Sequence, residues 1–177
     1  MQYHGYNGRS GRLKFRLKYL RSWLLQSIAY SSPHPGLAIR MQRARGVEIG
    51  RNCYIGEHVH IDLIHPEMVK IGDNVTIGNN TMIYAHSVAS ANPFLKSIGY
   101  GRKIEPVVIK SGAVINPGCI ITAGITIGTN SMIAVGSVVA ATIPDYCIAV
   151  GNPARIVKKI DNTSGTSGTS GTTTVND

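Results

Sequence analysis

From Val47 onward, a large apolar side chain returns every sixth position. Ile49, Ile55 and Ile61 make one run and Ile71, Ile77 and Ile83 a second; Ile109, Ile115, Ile121, Ile127, Ile133 and Val139 make a third. Two residues before each stands a small or β-branched side chain: Val47, Cys53, Val59, Val69, Val75, Thr81, Val107, Ala113, Cys119, Ile125, Ser131 and Ser137. A helix of 3.6 residues per turn drifts against a repeat of six, so an amphipathic helix is excluded. The pattern predicts short strands joined by tight turns, with both members of each pair facing inward. Gly follows the isoleucine at positions 50, 56, 72, 78 and 128, where tolerance of turn conformations is the expected reason. Such repeats build a solenoid, in which each coil buries its apolar edge only against the next.

The count of six slips twice. Ile61 to Ile71 is a step of ten, an insertion of four around LIHPEM, and Ile83 to Ile109 is a step of 26 that releases a loop over residues 86–106. Ahead of the repeats, Leu13, Leu17, Leu20, Leu24 and Ile28 recur at steps of three and four. They predict an amphipathic helix over 9–29, its stripe packed on the body of its own or a neighbouring subunit. Arg12, Lys14, Arg16, Lys18 and Arg21 mostly fall away from that stripe, so the helix also suits peripheral contact with an anionic membrane. SSPHPG at 31–36 breaks it, and a short helical turn is expected to follow through LAIRMQRARG. The chain divides into a basic helical segment (1–45), coils with their loop (46–144) and a segment packing on the coils (145–160). A low-complexity tail (161–177) is expected to be disordered.

Composition narrows the function. The net charge of +9 suggests nucleic acid until it is located: residues 1–45 carry nine Lys/Arg and no Asp or Glu, while 46–177 carry nine of each sign. The basicity belongs to the helix, with no recognition fold beside it, so no nucleic-acid partner is expected. Cys53, Cys119 and Cys147 are odd in number, widely spaced and form no C-x-x-C pair. They argue against a disulfide framework and a zinc site, and suit a reducing cytoplasm, peripheral at the inner membrane face if the helix docks there. WLLQSIAY at 23–30 is too short to span a bilayer.

The stretches VEIGRN, CYIGEHVHID, VKIGDNVTIGNNTMI, VVIKSGAVINPGCIITAGITIGTNSMIAVGSVVAATIP and AVGNPARIVKKI resemble the hexapeptide-repeat acyltransferases. They are most similar to the branch that O-acetylates sugars and polysaccharides. The resemblance covers about residues 45–160, and GSVV…IP…GNPARIV is its most specific part. It implies an all-β fold, a left-handed parallel β-helix with three hexads per coil. It further implies acetyl-CoA as co-substrate, no metal, and a homotrimer with active sites between subunits.

In that family a histidine at the root of the loop does the chemistry, which points to His86 in IYAHS; read alone, His86 is better explained by capping a turn. A sugar hydroxyl attacks a thioester only as its proton is taken, and imidazole is the natural base at neutral pH. The resulting oxyanion needs donors, commonly backbone N–H groups. Asp62, which stands at the Gly position of its hexad, falls where relatives hold an acceptor hydroxyl; it could instead orient the imidazole or simply make a turn. Glu67 is a weaker candidate for either job. The resemblance assigns the pantetheine arm to Asn116, Pro117 and Gly118 and to Val135, Gly136 and Ser137. It assigns the phosphates to Arg155, Lys158 and Lys159. Two departures stand out: Ala140-Ala141 replaces the Thr-Lys of many relatives, and Ser87 replaces the Asp that often follows the histidine.

Two rival readings use the same architecture. In a γ-carbonic-anhydrase-like enzyme His60, His65 and His86 would hold a metal, although the spaced pair here precedes the single histidine rather than following it. A non-catalytic scaffold would need no ligand at all.

Overall fold

The computed structural model describes residues 8–87 and 91–161; residues 162–177, where most of the predicted tail falls, lie outside the described residues. Helix α1 (Gly8–Tyr30) and helix α2 (Pro35–Arg45) precede the coils. The first coil is β1 (Glu48–Ile49), β2 (Tyr54–Ile55) and β3 (His60–Ile61). A 3-10 turn at Pro66–Met68 leads to the second, β4 (Val69–Ile71), β5 (Thr76–Ile77) and β6 (Met82–Ile83). The loop follows, holding α3 (Pro93–Ser97), and then the third coil, β7 (Val107–Ile109), β8 (Val114–Ile115) and β9 (Ile120–Ile121). The fourth is β10 (Thr126–Ile127), β11 (Met132–Ile133) and β12 (Val138–Val139). The chain closes with β13 (Cys147–Gly151) and β14 (Ala154–Lys159).

Successive strands are dealt in rotation to three sheets, β1-β4-β7-β10, β2-β5-β8-β11-β13-β14 and β3-β6-β9-β12. The pairing is parallel except for the final β13–β14 hairpin, so the body is a parallel β-helix with three faces. Register puts each hexad isoleucine on the one below it. Ile49, Ile71, Ile109 and Ile127 stack on one face. Ile55, Ile77, Ile115 and Ile133 stack on the second, and Ile61, Ile83, Ile121 and Val139 on the third. All but Ile49 are buried, and a fully buried side chain of this size contributes about 1.5–3 kcal/mol. The smaller inward row is polar where backbone can satisfy it: Ser131 Oγ donates to Pro144 O at 2.7 Å, and Ser137 Oγ accepts from Gly151 N at 3.0 Å.

The post-isoleucine glycines have a different cause from the expected one. None of the five has a positive φ; the left-handed turn positions belong to Asn52, Asn74, Asn80 and Asn130 and to glycines such as Gly112 and Gly136. A Cβ at Gly78 would instead lie 2.5 Å from Pro117 N, and one at Gly128 would lie 2.3 Å from Pro144 C. Glycine is required there because the next coil's backbone already occupies that space.

The open end of the first coil is capped by α1 and α2, and here a second expectation changes. The helix over 9–29 forms, and the turn after it lengthens into 11 residues of α2. However, the Leu13–Ile28 stripe does not pack on its own body. Ser22, Gln26 and Ala29 on the opposite face are buried instead. The reason is hydrogen bonding: the coil's last carbonyls face the helices, and only polar side chains can satisfy them. Ser22 Oγ donates to Leu63 O at 2.8 Å and Gln26 Nε2 to Val59 O at 3.0 Å. Buried Arg45 donates to Ile61 O, Asp62 O, Ser22 Oγ and the side-chain oxygens of Gln26 and Gln42. Burial lowers its pKa to about 10, against the pull of Asp62.

Gly78→Ala is expected to destabilise the fold by about 1–3 kcal/mol, the usual range for overpacking. Gly101→Ala, whose added Cβ meets nothing within 4 Å, is expected to leave the urea midpoint unchanged. Equal midpoints for the two variants would refute the close-approach explanation.

Candidate active site

Both slips in the count of six fall at the same corner of successive coils. The insertion 62–68 follows β3, the long loop follows β6, and β3 lies beside β6 in register. Opening the turn there leaves room for a side chain at a position that five other hexads fill with glycine. Asp62 occupies it, with no exposed surface.

Every oxygen of Asp62 is engaged. Oδ1 accepts from the backbone N–H groups of Ile64 and His65, each at 2.9 Å. Oδ2 accepts from Ala85 N at 2.9 Å and lies 2.5 Å from His86 Nδ1. Burial on its own would push the Asp62 carboxyl up; the donors at His65, His86 and Ala85 together outweigh it and hold the pKa below the ordinary carboxylate value. An ionised carboxylate only accepts, so Nδ1 of the neutral imidazole must donate and Nε2 keeps its lone pair. Both Asp62 oxygens are thus committed to donors of the chain itself. A carboxylate buried under four hydrogen bonds is placed to orient the ring.

The loop root is pinned beside the ring. His86 bridges Ile104 in antiparallel fashion, Ser87 N donates to Lys103 O at 2.9 Å and Glu105 N to Ala85 O at 3.0 Å. Tyr84, His86, Ser87, Lys103, Glu105, Thr122 and Ala123 enclose a cleft of about 480 Å³. A larger depression of about 580 Å³ runs past Glu48, Lys70, Lys110 and Ser111 but has no imidazole in its wall.

The remaining candidates fall elsewhere. Glu67 leaves the cleft to α1: its Oε1 is 3.1 Å from Lys18 Nζ and 3.6 Å from His65 Nδ1. Asn116–Gly118 lies between β8 and β9 and Val135–Ser137 between β11 and β12, stacked on one corner, with Gly136 N donating to Pro117 O at 3.0 Å. His86 follows β6, so the sheet β3-β6-β9-β12 separates it from that corner within one chain. Arg155, Lys158 and Lys159 are exposed on β14, at the edge of the second sheet. His60 packs against Tyr84, with ring centroids 5.6 Å apart, and His65 packs edge-on to His86 at 5.7 Å. Burial lowers the pKa of both His60 and His65. Among the described residues no group of three or more His, Cys, Asp or Glu is arranged to hold a metal.

No family model matches the chain. It is 30% identical over 140 residues to the galactoside O-acetyltransferase of Lactococcus lactis, covering 66% of this chain and 64% of that one. A maltose O-acetyltransferase of Clostridium difficile is 28% identical with a TM-score of 0.63, covering 84% of this chain and 89% of that one. The chain is similar to hexapeptide-repeat acetyltransferases in sequence and in fold. Another solved structure, a hexapeptide-repeat acetyltransferase of Vibrio cholerae complexed with acetyl coenzyme A, shares the fold at a TM-score of 0.63 and 21% identity, over 88% of this chain and 93% of that one. The chain thus spans just under two thirds of the galactoside enzyme's length.

Reading hexads one at a time misses several residues around the ring of this hexapeptide-repeat protein. Thr122, after Ile121, and Tyr84, after Ile83, are the coil equivalents of Asp62 after Ile61. Three hexads per coil would have aligned them on one corner. Lys103 and Glu105 come back only through the loop's own pairing, for which the sequence carries no periodic signal.

Because the folded pKa of Asp62 lies below its unfolded value of about 3.9, its contribution is complete above about pH 4 and is lost as pH falls through the folded value. Asp62→Asn is expected to cost about 1.5–3 kcal/mol at pH 7, the range for hydrogen bonds to a charged group. It should also flatten the wild-type loss of stability as pH falls below about 4. Urea unfolding across that window tests this; an unchanged pH slope would remove Asp62 as a native-state carboxylate.

Proposed function

We propose that this protein transfers an acetyl group from acetyl-CoA to a hydroxyl of a sugar or surface-polysaccharide precursor, with His86 as general base. The observation that carries this reading is the buried Asp62 carboxylate 2.5 Å from His86 Nδ1, which engages one ring nitrogen and leaves Nε2 for chemistry at the cleft that His86 lines. Its relatives' names support the reaction class, and the galactoside and maltose enzymes support a sugar acceptor.

Acetyl-CoA supplies an activated thioester carbonyl. His86 Nε2 takes the acceptor's proton as its oxygen attacks, and returns it to the sulfur as the C–S bond breaks. Asp62 keeps the ring in one tautomer throughout and stabilises the imidazolium. No enzyme nucleophile is needed.

The corner of Asn116–Gly118 and Val135–Ser137 suits the pantetheine arm. A Cβ at Gly136 would meet nothing within 4 Å, and one at Gly118 would meet only Gly136 at 3.8 Å. Together they form a flat step with no side chain in the way. Arg155, Lys158 and Lys159 on the adjoining sheet offer positive charge for the phosphates. This corner and the His86 corner belong to different edges of one prism. Two subunits side by side, one contributing each edge, complete a site, which favours the homotrimer.

Incubation with acetyl-CoA and a panel of sugar hydroxyl acceptors, followed by thiol release, tests the reaction. His86→Ala should lose roughly 100- to 10,000-fold in turnover, the usual worth of a positioned base, with the fold retained and the melting temperature lowered only modestly, because Asp62 keeps its three backbone donors. Full activity in that variant would refute the assignment. Subunit sharing has its own test. Val135→Trp, at a corner position that is 72% exposed, should be inactive alone. Refolded together with His86→Ala, it should recover part of the wild-type turnover. Absence of recovery in demonstrably mixed oligomers would confine the site to one chain.

A further inference from the structure

We propose that the outward stripe of α1 docks this protein onto an anionic phospholipid surface, with the helix lying in the plane of the interface. Leu13, Leu17, Leu20, Leu24 and Ile28 are between 47% and 58% exposed. At 100° per residue they occupy an arc of roughly 80°. Trp23 flanks the arc and is 48% exposed.

The stripe is held outward rather than left over. The opposite side of the helix is committed to the capped coil through Ser22, Gln26 and the Gln42 and Arg45 side chains that bond Gln26. Rolling the leucines inward would orphan those buried groups and the carbonyls of Val59 and Leu63. The molecule therefore presents five large apolar side chains to its surroundings by construction.

Charge selects the occupant. Lys14 and Arg21 fall roughly 60–80° to one side of the stripe's centre and Arg16 roughly 80° to the other; all three are exposed. Arg12, Lys14 and Arg16 have no ion pair among the described residues. Two copies meeting stripe to stripe would bring cation against cation, because residues 1–45 contain no Asp or Glu. The formally neutral body of a neighbouring copy offers no compensating excess of acid. An anionic bilayer surface supplies both requirements together, an apolar layer for the leucines and phosphates at the height of the flanking cations. No helix among the described residues is long and apolar enough to cross a membrane, which leaves an in-plane position for α1.

Sedimentation of the full chain with vesicles tests the proposal, independently of any acetyl transfer. The protein should co-sediment with vesicles of mixed phosphatidylcholine and phosphatidylglycerol, remain in the supernatant with phosphatidylcholine alone, and be released by salt. Arg12→Gln/Lys14→Gln/Arg16→Gln should weaken partitioning on the order of 100-fold, from about a fivefold effect per cation. Leu17→Ser/Leu20→Ser/Leu24→Ser should abolish binding while melting at the wild-type temperature, since these positions face outward. Failure of the wild-type chain to bind anionic vesicles would overturn the proposal. So would retained binding in the leucine variant, or a leucine variant whose only change is dissociation of an oligomer, which would assign the stripe to a second copy.

Discussion

A strand of two residues cannot hold itself in place, and most strands of this body are that short. What holds them is registration between coils: each hexad's backbone bonds to the hexad above, and each isoleucine lies on the isoleucine below. The constraint is severe because the coils approach so closely that a single Cβ at Gly78 or Gly128 would collide with backbone. Side-chain size, glycine placement and turn chemistry all follow from keeping that spacing uniform. A coil has a top and a bottom, however, and the first one ends in carbonyls with no coil beneath. That shortfall explains why the capping helices turn a polar face inward and bury Arg45 and Gln42 among backbone acceptors.

The site exists where registration is relaxed. At one corner, two successive coils both lengthen their turns, and the space gained is large enough for a buried carboxylate. Buried there, Asp62 would be costly as an ion were it not met by three backbone N–H groups and an imidazole. The same donors that keep it charged make it a rigid support for His86. The uniform coils on either side prevent the pair from drifting, which is what a proton transfer at a fixed distance needs.

The two halves of the proposed chemistry lie on different edges of one prism, with a whole sheet between them. A fold that repeats one unit along an axis produces long parallel edges rather than a central pocket, so a cleft with two chemically distinct walls arises most simply by placing one edge against another copy's. Helix α1 follows a related logic at the end of the prism: its inner face answers the coil, and its outer face is free to answer something else.

Much of this was legible before any coordinates. The period of six determined the strands, their inward residues, the solenoid and the two interruptions, because a repeat that must stack leaves the same mark in every coil. The loop root at His86 was legible for the same reason, as a break in a regular pattern. Tertiary structure decided what periodicity cannot encode. It aligned the two interruptions on one corner, which set the buried Asp62 carboxylate against the His86 ring and placed Glu67 beside Lys18. It showed that Gly78 answers a neighbouring coil rather than its own φ. It also turned the leucine stripe outward, since amphipathic spacing identifies a face without saying which side the protein will bury. Each of these depends on what lies across a gap from a residue, and a linear pattern holds no record of that.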